Sequence, residues 1–223
     1  MNAAVRAALV VDDDALFRMA LGTILTKQVH CSEIIEAASF EEGLERLCQN
    51  QNIALALFDL SMPGMGSPDY LRAVRENYPD TRVIVVSASH SRRDVLQSLE
   101  AGAHGYIPKT LGVKELTAAV QTVVGGAVYV PTFITEVSCS DDESSSEAAR
   151  KQGTEPVALK SLTPRQLDVL KLIVSGKSNK EIARDLRLGE GTVKIHVAAL
   201  FRNLGVNSRT AAAAMGARLL SDS

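Results

Sequence analysis

The sequence predicts a doubly wound, five-stranded parallel α/β sheet, joined by a polar stretch to a small all-α domain of four helices. Three observations carry this reading. Five short apolar, β-branched or Leu-rich runs recur in the first 110 residues, segments of helical period lie between them, and helical patterns crowd the last sixty or so residues.

The strand-like runs are Ala7 to Val11, Glu33 to Ala37, Ile53 to Phe58, Arg82 to Ser87 and Gly105 to Ile107. In the first connection, Ala15 to Leu25, the apolar period places Leu16, Met19, Ala20 and Ile24 on one stripe; Phe40, Leu44 and Leu47 do the same in the second. The remaining connections read through Tyr70, Leu71 and Val74, through Val95, Leu96 and Leu99, and through Leu116, Ala119, Val120 and Val123, before Gly125-Gly126 stops the pattern. Strands alternating with helices in this way bury both faces of a parallel sheet. From about Val137 to Lys160 periodicity is lost in SCSDDESSSEAARKQGTEP, which reads as a flexible linker. Thr163-Pro164 then supplies an N-cap and a first-turn proline ahead of Leu167, Val169, Leu170, Ile173 and Val174. Three further helical stretches follow: Asn179 to Leu186, about Glu190 to Leu204, and Arg209 to Leu220. The expected divisions are 1–130, a linker at 131–160, and 161–223.

Bulk properties exclude several classes. The first apolar run is too short for a secretory signal and no run approaches a membrane span, so a cytoplasmic protein without membrane contact is expected. Cys31, Cys48 and Cys139 are widely spaced and contain no CxxC pair, which argues against a disulfide framework or a zinc site. The formal net charge of −2 conceals an asymmetry: residues 1–137 carry −5, residues 138–160 carry −2, and residues 161–223 carry +5. A basic C-terminal part suits an anionic partner.

Chemistry concentrates at strand ends. Asp12 and Asp13 leave the first strand, Asp59 leaves the third, and in a doubly wound sheet all three converge on one rim, the usual ligand crevice of such folds. Carboxylates this close need a cation between them, and few hard oxygen ligands with room for water and phosphate suit Mg²⁺. Ser87 at the end of the fourth strand and Lys109 just after the fifth meet the same rim. Together the five residues describe a phosphoryl-transfer site, with a carboxylate nucleophile, a metal, and donors for the equatorial oxygens. Taken singly, Asp12 to Asp14 also read as a solvated helix start and Asp59 as a turn acid.

The segments VVDDDALFR, LFDLSMPGMG, VVSAS and GYIPK resemble the receiver domain of bacterial response regulators, over residues 7 to about 126. The resemblance implies that Asp59 is the phosphoacceptor for a sensor histidine kinase. It also implies that Asp13, Asp59 and the Ser61 carbonyl bind Mg²⁺ directly, and that Asp12 acts through water. Ser87 and Tyr106 would form the switch pair, and Lys109 would bind phosphate. Many receivers have proline after this lysine; here Thr110 follows it and Pro108 precedes it, which leaves the isomer of the Lys109-Thr110 bond open.

Residues 161–210 resemble the helix-turn-helix domain of the LuxR/FixJ (NarL-type) family. Helical periodicity turns Ile182, Ala183 and Leu186 inward, along with Val193, Val197 and Leu200 of the next helix. Lys194, Ile195 and Ala198 are left pointing outward, where a recognition helix meets the major groove. The resemblance places Lys194 and Ile195 at base edges and Lys180 and Thr192 at phosphates; Ala198 departs from relatives that carry a longer polar side chain there. His196 reads either as a DNA contact or as a packed helix residue. Ala211, Ala214, Met215 and Arg218 share a face of the last helix that suits a partner helix in a homodimer on promoter DNA, or packing within its own domain.

The expected function is therefore a phosphorylation-switched transcription regulator, with RNA polymerase as a further possible partner and enzymology limited to its own phosphorylation and dephosphorylation. Two other classes compete. One is a metal-dependent phosphatase, disfavoured because Ser61 stands where such enzymes carry a second acid. The other is a DNA binder indifferent to phosphorylation.

Overall fold

A computed structural model of the chain describes residues 7–62, 65, 69–134 and 162–221. The first part is the expected sheet, β1 (Ala7–Val11), β2 (Glu33–Ala37), β3 (Ile53–Asp59), β4 (Arg82–Ser87) and β5 (Gly105–Pro108), in the order β2-β1-β3-β4-β5 with all pairs parallel. The register sets Val11 opposite Phe58, Asp59 opposite Val86, and Ser87 opposite Pro108, so the C-terminal strand ends form one rim. The strand order reverses between β1 and β3, and it is there that the acids emerge.

Successive strand residues serve opposite layers, as the period of two requires. Ala8, Val10, Leu55, Leu57, Ile84, Val86 and Ile107 pack with α1 (Ala15–Gln28) and α5 (Val113–Val124). Leu9, Val11, Phe58, Val83, Val85 and Tyr106 pack on the other side, with α2 (Phe40–Gln49), α3 (Asp69–Asn77) and α4 (Arg92–Glu100). The stripe expected on α1 is in the wrong phase: Leu16 and Met19 are 73% and 60% exposed, and the buried face is Leu21 and Leu25 flanked by Phe17 and Ile24. Positions 17, 21, 24 and 25 follow the i, i+4, i+7, i+8 spacing and carry the bulkier core contacts. A helix with apolar residues on more than one face leaves that choice to the sheet. Leu96 of α4 is likewise exposed while Val95 is buried.

After a 3-10 turn at Thr132–Ile134, the description resumes with α6 (Pro164–Val174), α7 (Asn179–Leu186), α8 (Glu190–Asn203) and α9 (Arg209–Ser221). Residues 135–161, and with them most of the expected linker, lie outside the described residues. Thr163 caps α6 and Ser178 caps α7, each in a capping box with Gln166 and Glu181. Val169, Leu170, Ile173, Ile182, Val193, Val197, Leu200 and Ala212 form the core of this unit. On α9 the face carrying Ala212 and Gly216 is the one that packs inward; a Cβ at Gly216 would lie 2.6 Å from Leu170 Cδ1 and 2.8 Å from Val174 Cγ2. Ala214 and Arg218 face outward.

Candidate functional site

The acid rim is built by the strands beneath it. Asp12 and Asp59 are each only 2% exposed because both follow fully buried runs, whereas Asp13 is exposed at the mouth. One carboxylate oxygen from each of the three lies within 4.8 Å of the others. Asp14 takes no part: its side chain caps α1, accepting from the Leu16 and Phe17 amides, and so removes one acid of the run from the rim. Asp12 Oδ1 accepts from the Asp14 amide and Asp59 Oδ1 accepts from the Ser61 amide, which fixes both carboxylates by the chain that leaves them.

Lys109 bridges the two buried carboxylates. Its Nζ lies 2.6 Å from Asp12 Oδ2 and 2.9 Å from Asp59 Oδ2, and 4.5 Å from the centre of the Phe17 ring. Burial opposes the charge on this lysine, but the hydrogen bonds to Asp12 and Asp59 and their negative charges outweigh it and hold the ammonium pKa above its ordinary value. The loop is anchored by the Lys109 amide, which donates to the Ser87 carbonyl at 2.7 Å; the Lys109-Thr110 bond is trans. Ser87 is buried beside the rim and its hydroxyl accepts from the Ser89 amide. Tyr106 is turned inward, with its hydroxyl donating to the Ser89 carbonyl at 2.9 Å, and burial raises its pKa. The structure thus brings Asp12, Asp13, Asp59, Lys109 and Ser87 to one rim, with Tyr106 just behind it. Periodicity gave no sign of Phe17 as a platform for Lys109, because an aromatic at a helix start reads as core.

The second region is α8, whose Lys194 points to solvent as expected, as does Lys180 on the first turn of α7. Thr192, Ile195 and Ala198 do not stand free. Thr192 and Ile195 are 0% exposed, and Ile195 and Ala199 belong to the apolar cluster of the receiver-like domain, with Ala198 packed against it. The expectation of an outward-facing Ile195 and Ala198 fails for a physical reason. An apolar face left over by the small domain is covered by α2 and α3, so α8 is packed on both sides.

That contact is close and mixed in character. A Cβ at Gly191 would lie 2.9 Å from Cys48 Sγ on α2 and 3.3 Å from Tyr78 Oη, so only glycine admits this approach without a shift. Arg202 of α8 donates to both carboxylate oxygens of Glu76 on α3. Tyr70 of α3 meets the buried His196 edge-on, with ring centres 5.7 Å apart, and its hydroxyl lies 3.4 Å from His196 Nδ1 and 3.2 Å from Thr163 Oγ1. From sequence Tyr70 reads as part of an apolar helix stripe, Cys48 as a thiol outside any disulfide or zinc pattern and Glu76 as helix surface, so none of the three signals this contact.

Comparison with known proteins accounts for both regions. Residues 8–121 match the response regulator receiver domain and residues 160–216 match the bacterial regulatory proteins of the luxR family. The chain is 37% identical to the glycerol metabolism activator of Pseudomonas putida, over 92% of this chain and 91% of that protein. It is 33% identical to the nitrate/nitrite response regulator protein NarL of Escherichia coli strain K12, over 92% of each. Among solved structures, a LuxR family DNA-binding response regulator from Silicibacter pomeroyi superimposes with a TM-score of 0.50 and 26% identity, over 57% of this chain and 98% of that one. Among the described residues no helix is long and apolar enough to cross a membrane. With a receiver fold carrying its acid rim and a LuxR-type helical domain behind it, the chain belongs to the LuxR-family response regulators, which are DNA-binding transcription regulators.

Proposed function

We propose that Asp59 is the phosphoacceptor and that its modification releases α8 for binding to promoter DNA. The observation that carries this is the pairing of two buried carboxylates, Asp12 and Asp59, through Lys109 at the switch point of the sheet. An Asp59 oxygen attacks the phosphorus of a phosphohistidine on the sensor kinase; the P–O bond forms as the P–N bond breaks, and the histidine departs with a proton. Lys109 stays within reach of the transferred oxygens. The Ser87 hydroxyl, on the neighbouring strand end, is the donor that turns toward them, and Tyr106 moves into the space it leaves.

The donor set at the rim fits Mg²⁺. Asp13, Asp59 and the Ser61 carbonyl would hold the ion directly and Asp12 through water, since these are hard oxygens in small number. When bound, it supplies positive charge against the phosphoryl oxygens. The receiver spans 1–130 and the DNA-binding domain 161–223. Lys194 and Ile195 read base edges, Ala198 adds at most an apolar contact with a thymine methyl, and Lys180 and Thr192 hold phosphates. The packing of Ile195 against the receiver supports a closed, unphosphorylated form in which these contacts are unavailable. On promoter DNA the regulator acts in the cytoplasm as a homodimer through the outward Ala214 and Arg218 face of α9, alongside RNA polymerase.

Incubation with acetyl phosphate and Mg²⁺ tests the acceptor. Intact mass should rise by one phosphoryl group in the parent and stay constant in Asp59→Asn; an unmodified parent chain sinks the assignment. Release is read in parallel, by a gain in promoter binding on phosphorylation that Asp59→Asn lacks.

A further inference from the structure

His196 lies at the centre of the contact between the two domains, and the receiver takes part in burying it. It is 0% exposed, and its Nε2 has no hydrogen-bond partner among the described residues. On the other nitrogen a short chain of hydroxyls ends. Thr163 Oγ1 accepts from the Gln166 amide as the cap of α6, which leaves its own hydrogen for Tyr70 Oη, and Tyr70 can then donate to Nδ1. That arrangement asks for a neutral imidazole with an acceptor at Nδ1.

The surroundings offer nothing to a positive ring. From α3 it faces the neutral Tyr70, whose hydroxyl pKa burial pushes up to about 12. From α6 the Arg165 guanidinium, itself 3.9 Å from Asp168, acts on the ring with a like charge. From α2, the Glu41 charge acts on Tyr70. Glu76 is occupied by Arg202. No carboxylate among the described residues reaches ion-pair distance of the ring. Burial first, and the Arg165 charge second, depress its pKa to about 4.

We propose that His196 is a proton-sensitive latch on the interdomain contact: the closed arrangement accepts only the neutral ring, and protonation frees α8 from the receiver. The ring is inaccessible while Tyr70 covers it and gains water once the domains part, so proton uptake and opening are linked. This input acts without any change at Asp59. With an ordinary value of about 6.5 for the uncovered ring, acidification from pH 7.5 to 5.5 multiplies the open-to-closed ratio about tenfold.

The test uses the full chain without phosphodonor. Small-angle scattering reads the open fraction at pH 7.5 and 5.5 in the parent and in Glu76→Ala, where loss of the surface ion pair brings the equilibrium into range. Adding His196→Gln should cut the roughly tenfold acid response to less than twofold. Because His196→Gln can perturb folding, the imidazole resonance of His196 in the parent is titrated by NMR as well, and its midpoint should fall at least one pH unit below the ordinary imidazole value. A midpoint at the ordinary value, an acid response that persists with His196→Gln, or the lack of any response in both parent and Glu76→Ala overturns the proposal.

Discussion

Replacing Lys109 by Met tests the electrostatics of the acid rim without invoking any activity. Met keeps the length and apolar stem and deletes the charge that lies 2.6 Å from Asp12 and 2.9 Å from Asp59. Both carboxylates are 2% exposed, so the variant leaves two buried like charges facing one another. Removing one partner of a buried ion pair costs about 3–5 kcal/mol, a large share of the roughly 5–15 kcal/mol that holds an ordinary domain folded. The expected outcome in metal-free buffer is a fall of about 10 °C or more in the receiver transition by calorimetry. The lost charge can be replaced. Mg²⁺ should stabilise Lys109→Met more than the parent, because the ion then meets two carboxylates that no lysine compensates, and binding to the folded form adds stability by mass action. A variant that melts within about 2 °C of the parent, with an equal response to Mg²⁺, would refute the view that Lys109 holds the rim together.

Four other outcomes follow from the same structure. Ala199→Glu places a carboxylate in the apolar contact with the receiver without touching the small domain's own core, and should raise promoter affinity of the unphosphorylated chain by about 10- to 100-fold in an anisotropy assay, an unchanged affinity counting against occlusion. Lys194→Ala should weaken binding to the promoter more than to random duplex, whereas Lys180→Ala should weaken both alike and flatten the salt dependence. His104 accepts the Val83 amide at 3.0 Å, and burial, with Arg75 and Arg82 nearby, lowers its pKa. The unfolded chain therefore binds the proton more readily, so stability is full above about pH 6.5 and declines as pH falls below it, a slope that His104→Asn should reduce in melts between pH 7 and 5. Gly216→Val drives a side chain into Leu170 and Val174 and should destabilise the helical domain by about 1–3 kcal/mol in urea titration, leaving the receiver transition in place.

Much of this was legible in the sequence. The five strand runs, their order of charge-bearing ends and the caps at Thr163 and Ser178 are local signals, and local signals survive into the fold. The rim residues were readable because β-strand ends and a doubly wound topology leave little choice about where they meet. Two things were not readable. The phase of α1 depended on which of its apolar residues the sheet would cover, and Leu16 and Met19 lost that competition to Leu21 and Leu25. The fate of Ile195 depended on a partner surface assembled from α2 and α3, roughly 120 to 150 positions earlier in the chain, and no periodicity within α8 encodes that.

The contact between the domains is of a strength suited to a switch. Covering Ile195 contributes about 1.5–3 kcal/mol, and the half-exposed Glu76–Arg202 pair adds roughly 0.2–1 kcal/mol. The neutral chain of Thr163, Tyr70 and His196 adds hydrogen bonds worth about 1 kcal/mol each at most, over long distances of 3.2 and 3.4 Å. Ordering the two domains against one another works in the opposite direction, so the net preference for closure is a few kcal/mol. Moving a two-state balance from 1:99 to 99:1 takes about 5.5 kcal/mol, and a phosphoryl group with its two charges can supply that order of bias. For the proposed release, burial of α8 as deep as that of the receiver core would put it beyond the reach of a single modification at Asp59. The mixed interface, with glycine at 191, an ion pair at its edge and a histidine at its centre, is of the strength that the proposed release requires.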